Sequence, residues 1–427
     1  MRSIRWMLVI AMSAAAVAWI GCTFDDETYF LYPLYLNEPS NPTRTSLELT
    51  WSITPAEETF AHYRLYYSEV SRFDTSSTSY YVDSVRTNTS RTVRGLEPGG
   101  TYYFRVYTEL TSGEVSEASN EVHGTTLVWG VTDTFELGLA PTDVEVSRVK
   151  FLPPRDERVF IAHYESDKVS VVSVTGDTLM GEVTGLSQPW ALKAEPDAEF
   201  IHIAAPGDEK VWRVKMEDFT IDRDYDVGSN PMDIDFTPNG VYAWVTEMED
   251  SSVTIINTVL HETLNIDIGK SAKGIAILPY GNKAYITNMI ESQVTAVNTA
   301  NNEVITSINV EAGPQGVKAS ADGRWVYVAN ANTDIVSVIN TEIDEVVGWV
   351  RVGDKPVDMA LSPDGYLMYV VNYDSDNMTV IHLGTNTVAG TIPVGDGPLS
   401  IDITEEGEFA YVANYLGNNV MKVALQP

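Results

Sequence analysis

A pattern of about 42 residues repeats along most of the chain, and it restricts the possible folds more than any other feature. The strings AYITN, VYVAN, MYVVN and AYVAN end at asparagines that are 42 residues apart, namely Asn288, Asn330, Asn372 and Asn414. Closer to the N-terminus the same kind of apolar run ends at His163, Ala205 and Glu247. Seven units in phase indicate a repeat architecture rather than a coincidence of composition.

A second mark stays in phase with the first. A proline stands 16 residues before the end of the apolar run in five units, at Pro189, Pro231, Pro314, Pro356 and Pro398. Ala272 takes this position in the unit that ends at Asn288, and Pro141 stands 22 residues before His163. We therefore expect extra residues inside the first unit.

Each unit contains four short apolar runs separated by turn residues. In one unit these runs are PVDMALS, YLMYVVN, MTVIHL and VAGTIPV, and we name the corresponding strands a, b, c and d. A period near 42 with four strands per unit is typical of a β-propeller blade, whose faces are buried only between neighbouring blades. The seven units predict a seven-bladed β-propeller over residues 131–427.

The last unit ends after its strand c, so one strand must come from elsewhere for the ring to close. The segment VTDTFELGLAP (131–141) matches GTIPVGDGP (390–398), which joins strand d of one unit to strand a of the next. We predict that Val131–Leu137 is the missing strand d and pairs with the C-terminal strand.

The YVAN-type strand ends resemble the YVTN family of surface-layer β-propellers. The resemblance covers about residues 130–427. It implies the propeller fold and a cell-surface setting, but no defined reaction, because function does not follow from fold.

Residues 30–126 form a different unit. Short alternating runs such as SLELTWS and TYYFRVYTEL, separated by turn residues, predict a two-sheet β-sandwich. Trp51 in the second strand, the turn GLEPGGTYYFRV and the final strand SEASNEVHGTT resemble a fibronectin type III domain. Residues 127–130 would link it to the propeller. The predicted fold class is all-β, a sandwich followed by a propeller.

The N-terminus carries a targeting segment. Arg2 and Arg5 precede the apolar run MLVIAMSAAAVAWI, which ends at Gly21-Cys22. This arrangement resembles the lipobox of bacterial lipoproteins, with residues 1–21 as the signal peptide, Cys22 as the lipidated residue and residues 22–29 as a short tether. Lipidation would anchor the protein to a membrane. An ordinary signal peptide that happens to contain a cysteine is the alternative.

The charge balance excludes some partners. The chain has 27 Lys and Arg against 60 Asp and Glu, a net charge of -33. Nucleic-acid binding needs cations that neutralise phosphates, so we expect no nucleic-acid partner.

Motifs for catalysis or metal binding are missing from the sequence. The chain has no GxSxG or HExxH motif, and its six histidines are not at ligand spacing. Asp222, Asp224 and Asp226 partly resemble a calcium loop, but the repeat places them on strand d. We expect neither a metal nor a cofactor.

Candidate binding residues come from the face of the ring that carries both the d-to-a and the b-to-c connections, because loops on a rigid scaffold usually hold binding residues. The candidates are His163, Trp190, Glu247, Lys273, Gln315, Tyr373 and Tyr415, and four of them, His163, Trp190, Glu247 and Lys273, deviate from the repeat. The four repeat asparagines are expected to stabilise their own loops. Carboxylates on strand a are expected to face the channel as solvated groups, namely Asp233, Asp235, Asp358 and Asp402.

These features favour a lipid-anchored protein of the cell envelope, on the outer membrane or the cell surface. The propeller would bind an envelope protein or polysaccharide without catalysis, and the sandwich would act as a spacer. The alternatives are a propeller hydrolase such as a lactonase-like enzyme and a structural component of envelope assembly.

Overall fold

The structure is a computed structural model with two compact units, a sandwich unit and a propeller unit. It describes residues 34, 36–37, 46–52, 60–69, 79–83, 89–94, 101–113, 115–116, 118–125, 130–150, 157–269 and 271–425. The predicted signal peptide (1–21), Cys22, the tether (22–29) and residues 127–129 of the predicted linker lie outside the described residues. Within the described residues, no helix has the length and apolar character needed to cross a membrane.

The described residues of the sandwich unit form six strands: β1 (Ser46–Thr50), β2 (Phe60–Ser68), β3 (Ser79–Asp83), β4 (Ser90–Arg94), β5 (Thr101–Leu110) and β6 (Val122–Thr125). One sheet pairs β1 with β4, and the other has the order β3-β2-β5-β6. Alternate residues of β5 are buried, as expected for a strand with one face on a core. The Trp51 ring packs edge-on against Tyr63, with 5.5 Å between ring centroids, so the predicted core tryptophan is in the core.

The propeller unit contains seven four-stranded antiparallel sheets, and these are its blades. Blade 1 consists of β8 (Pro141–Arg148), β9 (Glu157–His163), β10 (Lys168–Ser173) and β11 (Leu179–Thr184). Blade 2 consists of β12 (Ala191–Ala194), β13 (Phe200–Ala205), β14 (Lys210–Lys215) and β15 (Ile221–Asp226). Blade 3 consists of β16 (Pro231–Phe236), β17 (Tyr242–Glu247), β18 (Ser252–Asn257) and β19 (Glu262–Asp267).

The remaining blades follow the same order of strands a to d. Blade 4 consists of β20 (Ala272–Ile277), β21 (Lys283–Asn288), β22 (Gln293–Asn298) and β23 (Glu303–Asn309). Blade 5 consists of β24 (Pro314–Ala319), β25 (Trp325–Asn330), β26 (Ile335–Asn340) and β27 (Glu345–Arg351). Blade 6 consists of β28 (Pro356–Leu361), β29 (Leu367–Asn372), β30 (Asn377–His382) and β31 (Thr387–Pro393).

Blade 7 joins the two ends of the propeller unit. It consists of β32 (Pro398–Ile403), β33 (Phe409–Asn414), β34 (Asn419–Ala424) and β7 (Gly130–Phe135). The strand β7 pairs antiparallel with β34, with Thr134 opposite Met421, and it ends two residues before the predicted limit at Leu137. A strand from the start of the propeller sequence thus completes the last blade, and the predicted fold class is confirmed.

The core of the propeller lies between the blades. Seven separate clusters of buried apolar residues each join two neighbouring blades, including a cluster that joins blade 7 to blade 1 through Tyr411 and Ile161. The innermost strand of each blade also packs beside the next, and β32 packs beside β8. Each blade therefore depends on both of its neighbours, as the repeat requires.

One face of the ring carries two sets of loops, the d-to-a loops and the b-to-c turns. The first residue of the b-to-c turn donates its backbone N–H to the d-to-a loop of the same blade, at 2.9 Å from Tyr373 to Lys355 and at 2.9 Å from Tyr415 to Gly397. The accepting residue just before strand a has a positive φ in these blades, which allows the tight approach. We call this side of the propeller the mouth face.

Candidate functional site

A cavity of about 270 Å³ occupies the central channel at the mouth face, and the innermost strands line it. The residue that follows the proline position of each blade forms an outer layer, which we call the mouth collar: Thr142, Trp190, Met232, Lys273, Gln315, Val357 and Leu399. The next residues form a carboxylate layer, which consists of Asp143, Ala191, Asp233, Gly274, Gly316, Asp358 and Ser400. Two residues further on is an inner layer with Glu145, Lys193, Asp235, Ala276, Lys318 and Asp402.

The channel carboxylates connect adjacent blades. The Asp143 carboxylate accepts the Leu192 N–H at 2.7 Å, and Asp233 accepts the Ile275 N–H at 2.9 Å. In the inner layer, Asp402 accepts the Val146 N–H at 2.7 Å, a bond from blade 1 to blade 7. Similar bonds to backbone N–H groups involve Glu145, Asp235 and Asp358. These carboxylates thus have a structural task, because they satisfy backbone donors of the neighbouring blade.

Burial raises the pKa of several channel carboxyl groups. Loss of hydration raises the pKa of Asp233 to about 6, and it raises the pKa of Asp402 to about 7, with a further increase from the nearby Glu145 charge. Burial also raises the pKa of Asp143 and of Asp235. The channel therefore holds carboxyl groups that titrate near neutral pH.

Three lysines share the channel with these carboxyl groups. Lys273 donates to the Gln315 side chain at 2.5 Å, and burial lowers the pKa of Lys273 to about 8. The Glu145 charge raises the pKa of Lys193, and the Asp358 charge raises the pKa of Lys318. The two inner lysines are thus held as cations, while Lys273 loses part of its charge in mildly basic solution.

A second cavity lies on the far side of the inner layer. Its volume is about 310 Å³, and Lys193, Lys318 and Asp402 line it as well as the first cavity. The two cavities therefore share residues of the inner layer, and the first cavity also reaches Ile277 and Pro279 beyond that layer.

The residues at the ends of the b strands are buried instead of lining the cavity. We call them the b-end ring, which consists of His163, Ala205, Glu247, Asn288, Asn330, Asn372 and Asn414. His163 is 1% exposed and burial lowers its pKa to about 4, while Glu247 is 0% exposed. Glu247 accepts bonds from Gly228 N, Ser252 Oγ and Asn265 Nδ2 at 2.5–2.8 Å, and from Thr254 Oγ1.

Glycines of the d-to-a loops pack directly on the b-end ring. A Cβ on Gly353 would lie 2.8 Å from the Asn372 side chain, and a Cβ on Gly138 would lie 2.7 Å from the His163 ring. The Asn372 amide also donates to Thr379 Oγ1 at 2.9 Å. The b-end ring therefore fixes the loops of the mouth face from below.

The predicted site residues separate into three groups. Trp190, Lys273 and Gln315 come together in the mouth collar, while Tyr373 and Tyr415 lie half-buried in the b-to-c turns outside the cavity. His163 and Glu247 lie in the b-end ring. The strand-a carboxylates do face the channel, as half-buried groups that also accept hydrogen bonds from the neighbouring blade.

Sequence reasoning did not single out four of the charged groups that line the cavity, namely Asp143, Glu145, Lys193 and Lys318. All four lie two or four residues after the proline position of their blades, so the period of two along strand a is the signal that would have found them.

Within the described residues, no group of three or more His, Cys, Asp or Glu side chains could hold a metal ion. The aspartates that partly resemble a calcium loop lie on the outermost strand β15, where Asp222 pairs with Arg213 at 3.0 Å and Asp224 pairs with Lys210.

Two family models match the chain. The fibronectin type III domain matches residues 37–125. The lactonase family of seven-bladed β-propellers matches residues 136–389, more than half of the chain. The protein therefore belongs to this lactonase β-propeller family and carries a fibronectin type III domain before the propeller. The resemblance to the YVTN family stays a prediction.

Solved structures share the fold. Hydrazine synthase of Kuenenia stuttgartiensis matches with a TM-score of 0.60 and 20% sequence identity, over 67% of this chain and 95% of that chain. This likeness concerns the fold alone. No curated protein matches the sequence.

Proposed function

We propose that the protein is a lipid-anchored binding protein of the cell envelope, whose propeller binds an envelope protein or polysaccharide at the mouth face without catalysis. The cavity enclosed by the mouth collar carries this proposal. It is concave, and apolar collar side chains such as Trp190 and Met232 lie above charged groups deeper in the channel, a combination that can fix the position of a ligand.

The engagement of the channel carboxylates favours binding over catalysis. Each of the six accepts a backbone N–H from a neighbouring blade, so its geometry is tied to the ring. A general base must instead reach a substrate proton. Mouth-collar side chains such as Trp190 and Met232 line the cavity instead. Among the described residues, neither side chain makes a hydrogen bond between two blades.

Capture of partners from intact cells tests the binding proposal. The protein would be crosslinked in cells and purified through a tag, and its partners would be identified by mass spectrometry and glycan analysis. We expect a reproducible partner that is lost from the Trp190→Ala variant and retained by Trp349→Ala, a change at an exposed tryptophan on strand d of blade 5. A partner that both variants retain would overturn the assignment to the mouth face.

The anchor requires its own test. Metabolic labelling with a clickable fatty acid should mark the natural protein, and Cys22→Ser should lose both the label and the membrane fraction. Protease treatment of intact cells would then separate a surface location from the inner leaflet of the outer membrane. Equal membrane association of Cys22→Ser and the natural protein would contradict the lipid anchor.

A lactonase-like hydrolase is the second candidate function. The family match and the raised pKa values of Asp233 and Asp402 favour it, because carboxyl groups that titrate near neutral pH suit acid–base catalysis. Incubation with a panel of lactones would test it. Hydrolysis that is lost in Asp402→Asn and Asp233→Asn would replace the binding proposal, and no hydrolysis would leave the binding proposal standing.

A further inference from the structure

Four aromatic side chains lie along one side of the mouth face. We call them the aromatic rim, which consists of Tyr373, Tyr415, Tyr164 and Trp190, from the consecutive blades 6, 7, 1 and 2. The first three occupy the same position of the b-to-c turn. Blades 2 to 5 have Pro206, Met248, Met289 and Ala331 there, so the aromatic rim covers only one arc of the mouth face.

The rings of the aromatic rim are neighbours across blade boundaries. Tyr164 and Trp190 meet edge to face, with 5.6 Å between centroids and an angle of 89°. The pKa of Tyr415 is raised by burial, with contributions from Glu165 and Tyr164, and burial together with Tyr415 raises the pKa of Tyr373. All four rings are half-buried, so each keeps some surface for a ligand.

The aromatic rim already holds one ammonium group. The Lys355 Nζ lies 4.2 Å from the centroid of the Tyr373 ring. This contact is a cation–π interaction, in which the negative face of the ring attracts the cation. The chemistry of the rim thus suits an organic cation.

The layers of the cavity below the aromatic rim also suit an organic cation. The mouth collar is mostly apolar, through Trp190, Met232, Val357 and Leu399, and the carboxylate layer lies immediately beneath it. Among the described residues, six carboxyl groups and three lysines line the cavity, so acidic groups outnumber basic ones. The apolar mouth collar above the carboxylate layer is complementary to an alkyl chain that ends in a cation.

The loops around the aromatic rim add further negative charge to the mouth face. The connecting loops on the mouth face of blades 6, 7, 1 and 2 contain Lys355 as their single basic residue. Their acidic residues are Glu136, Glu165, Asp167, Asp208, Glu209, Asp354, Asp374, Asp376 and Asp396. Such a surface attracts cations and repels anionic polysaccharides.

From this complementarity we propose that the mouth binds a lysine side chain presented by a partner protein. The alkyl part packs in the mouth collar beside the aromatic rim, and the ammonium group faces Asp143, Asp233 and Asp358. The volume of about 270 Å³ accepts one such side chain but not a folded surface. The inference rests on the proposed binding function and narrows its partner to a protein with an exposed lysine.

Lys273 is the one collar residue whose charge opposes this ligand. Burial already lowers its pKa to about 8, which weakens the opposition in mildly basic solution. The two kinds of variant should therefore change the affinity in opposite directions. Lys273→Met should bind the ligand more tightly, whereas loss of a carboxylate from the carboxylate layer should weaken binding.

The test uses the intact protein and a capped peptide, Ser-Gly-Lys-Gly-Ser, in isothermal titration calorimetry. A peptide with norleucine in place of lysine keeps the alkyl chain and removes the charge. We expect binding of the lysine peptide, at least about tenfold weaker binding of the norleucine peptide, and a similar loss for Asp233→Asn and Asp358→Asn, since each removes a charge-assisted contact. Asparagine still accepts the backbone N–H, and thermal melts would confirm that both variants fold.

Matched controls exclude a general attraction to an acidic protein. Glu342→Gln removes one exposed charge from a c-to-d turn, away from the mouth face, and should leave the affinity unchanged. Lys273→Met should increase the affinity, and Trp190→Ala should reduce it. Equal binding of the lysine and norleucine peptides, or equal losses in Glu342→Gln and Asp233→Asn, would overturn the proposal.

Other outcomes separate this inference from the binding function itself. Binding of 1,5-diaminopentane as tight as that of the peptide would point to a free amine and overturn the protein assignment. Absence of peptide binding at millimolar concentration, together with a cellular partner that is lost in Trp190→Ala, would reject the lysine ligand and keep the binding function. Absence of both would reject both.

Discussion

The b-end ring and the channel lining are two sets of sevenfold positions with opposite character. The b-end ring has asparagine in the four blades 4 to 7, and its members are buried beneath the loops of the mouth face. The channel lining changes from blade to blade and surrounds a cavity. Residues that are constant along a repeat hold each blade together, whereas residues that vary and stay accessible are the ones that can distinguish a ligand.

The b-end ring also shows that variation alone does not mark a site. In blade 6 the Asn372 amide donates to Thr379 Oγ1. At the same position of blade 3, Glu247 accepts from Thr254 Oγ1, so the direction of the hydrogen bond is reversed. Gly353 N donates to Thr379 in blade 6 and Gly228 N donates to Glu247 in blade 3. Two different side chains thus perform the same structural task.

Loss of ring closure should have the largest effect, because both sets of positions depend on the ring. Deletion of Met421–Pro427 removes most of the partner of β7 and buried residues such as Val423. We expect the melting temperature of the propeller to fall by at least about 10 °C, since several kcal/mol of burial are lost. Differential scanning calorimetry would measure it, with a deletion of only the last two residues as the control. An unchanged melt would show that the ring does not need this strand.

Glu247→Ala should have the next largest effect. It leaves the buried donors of Gly228, Ser252 and Thr254 without their acceptor, and we expect the unfolding free energy to fall by about 3 kcal/mol. Asn372→Ala, its counterpart in blade 6, should cost about 1 to 2 kcal/mol because its bonds are uncharged. Urea denaturation would measure both. A Glu247→Ala variant with normal stability and no partner binding would show instead that Glu247 contacts the ligand.

The channel lining should make stability depend on pH in an unusual direction. The pKa of Asp402 is raised by burial to about 7 in the folded state, so the folded state binds its proton more tightly than the unfolded chain does. The stability from this group is therefore full below about pH 4 and is lost as the pH rises through about 7. From pH 5 to pH 8 the loss should be about 2 to 3 kcal/mol.

Asp402→Asn should remove this part of the pH dependence and keep the acceptor for the Val146 N–H. Denaturation curves at pH 5 and pH 8 for both proteins would give the difference directly. Asp364→Asn, a change at an exposed turn, is the control and should leave the pH dependence of the unfolding free energy unchanged. If the unfolding free energy of Asp402→Asn depended on pH as that of the natural protein does, the raised pKa of Asp402 in the folded state would be contradicted.

Trp190→Ala should have the smallest effect on stability. The side chain is half-buried beside the blade 2 to blade 3 cluster, so its loss should cost about 1 to 2 kcal/mol. Partner capture should nevertheless be lost, because Trp190 belongs to both the mouth collar and the aromatic rim. If Trp190→Ala still captured partners but lost much of its stability, Trp190 would be a structural residue and not one that contacts a ligand.

The amino-acid pattern alone determined the architecture of this protein. The positions of Asn288 to Asn414 gave the period, the missing last strand pointed to Val131–Leu137, and the alternation in TYYFRVYTEL identified the sandwich. These features are local or periodic, and burial of a strand leaves a period of two that is visible in one sequence.

The tertiary structure alone decided which deviating residues are accessible. His163 and Glu247 look as unusual in sequence as Trp190 and Lys273, but loop glycines pack over the first pair and leave the second pair at the cavity. The role of the carboxylates also required three dimensions, because the N–H that Asp402 accepts lies 256 residues away at Val146. Burial and pairing across blades arise only when the ring closes, and no local pattern records them.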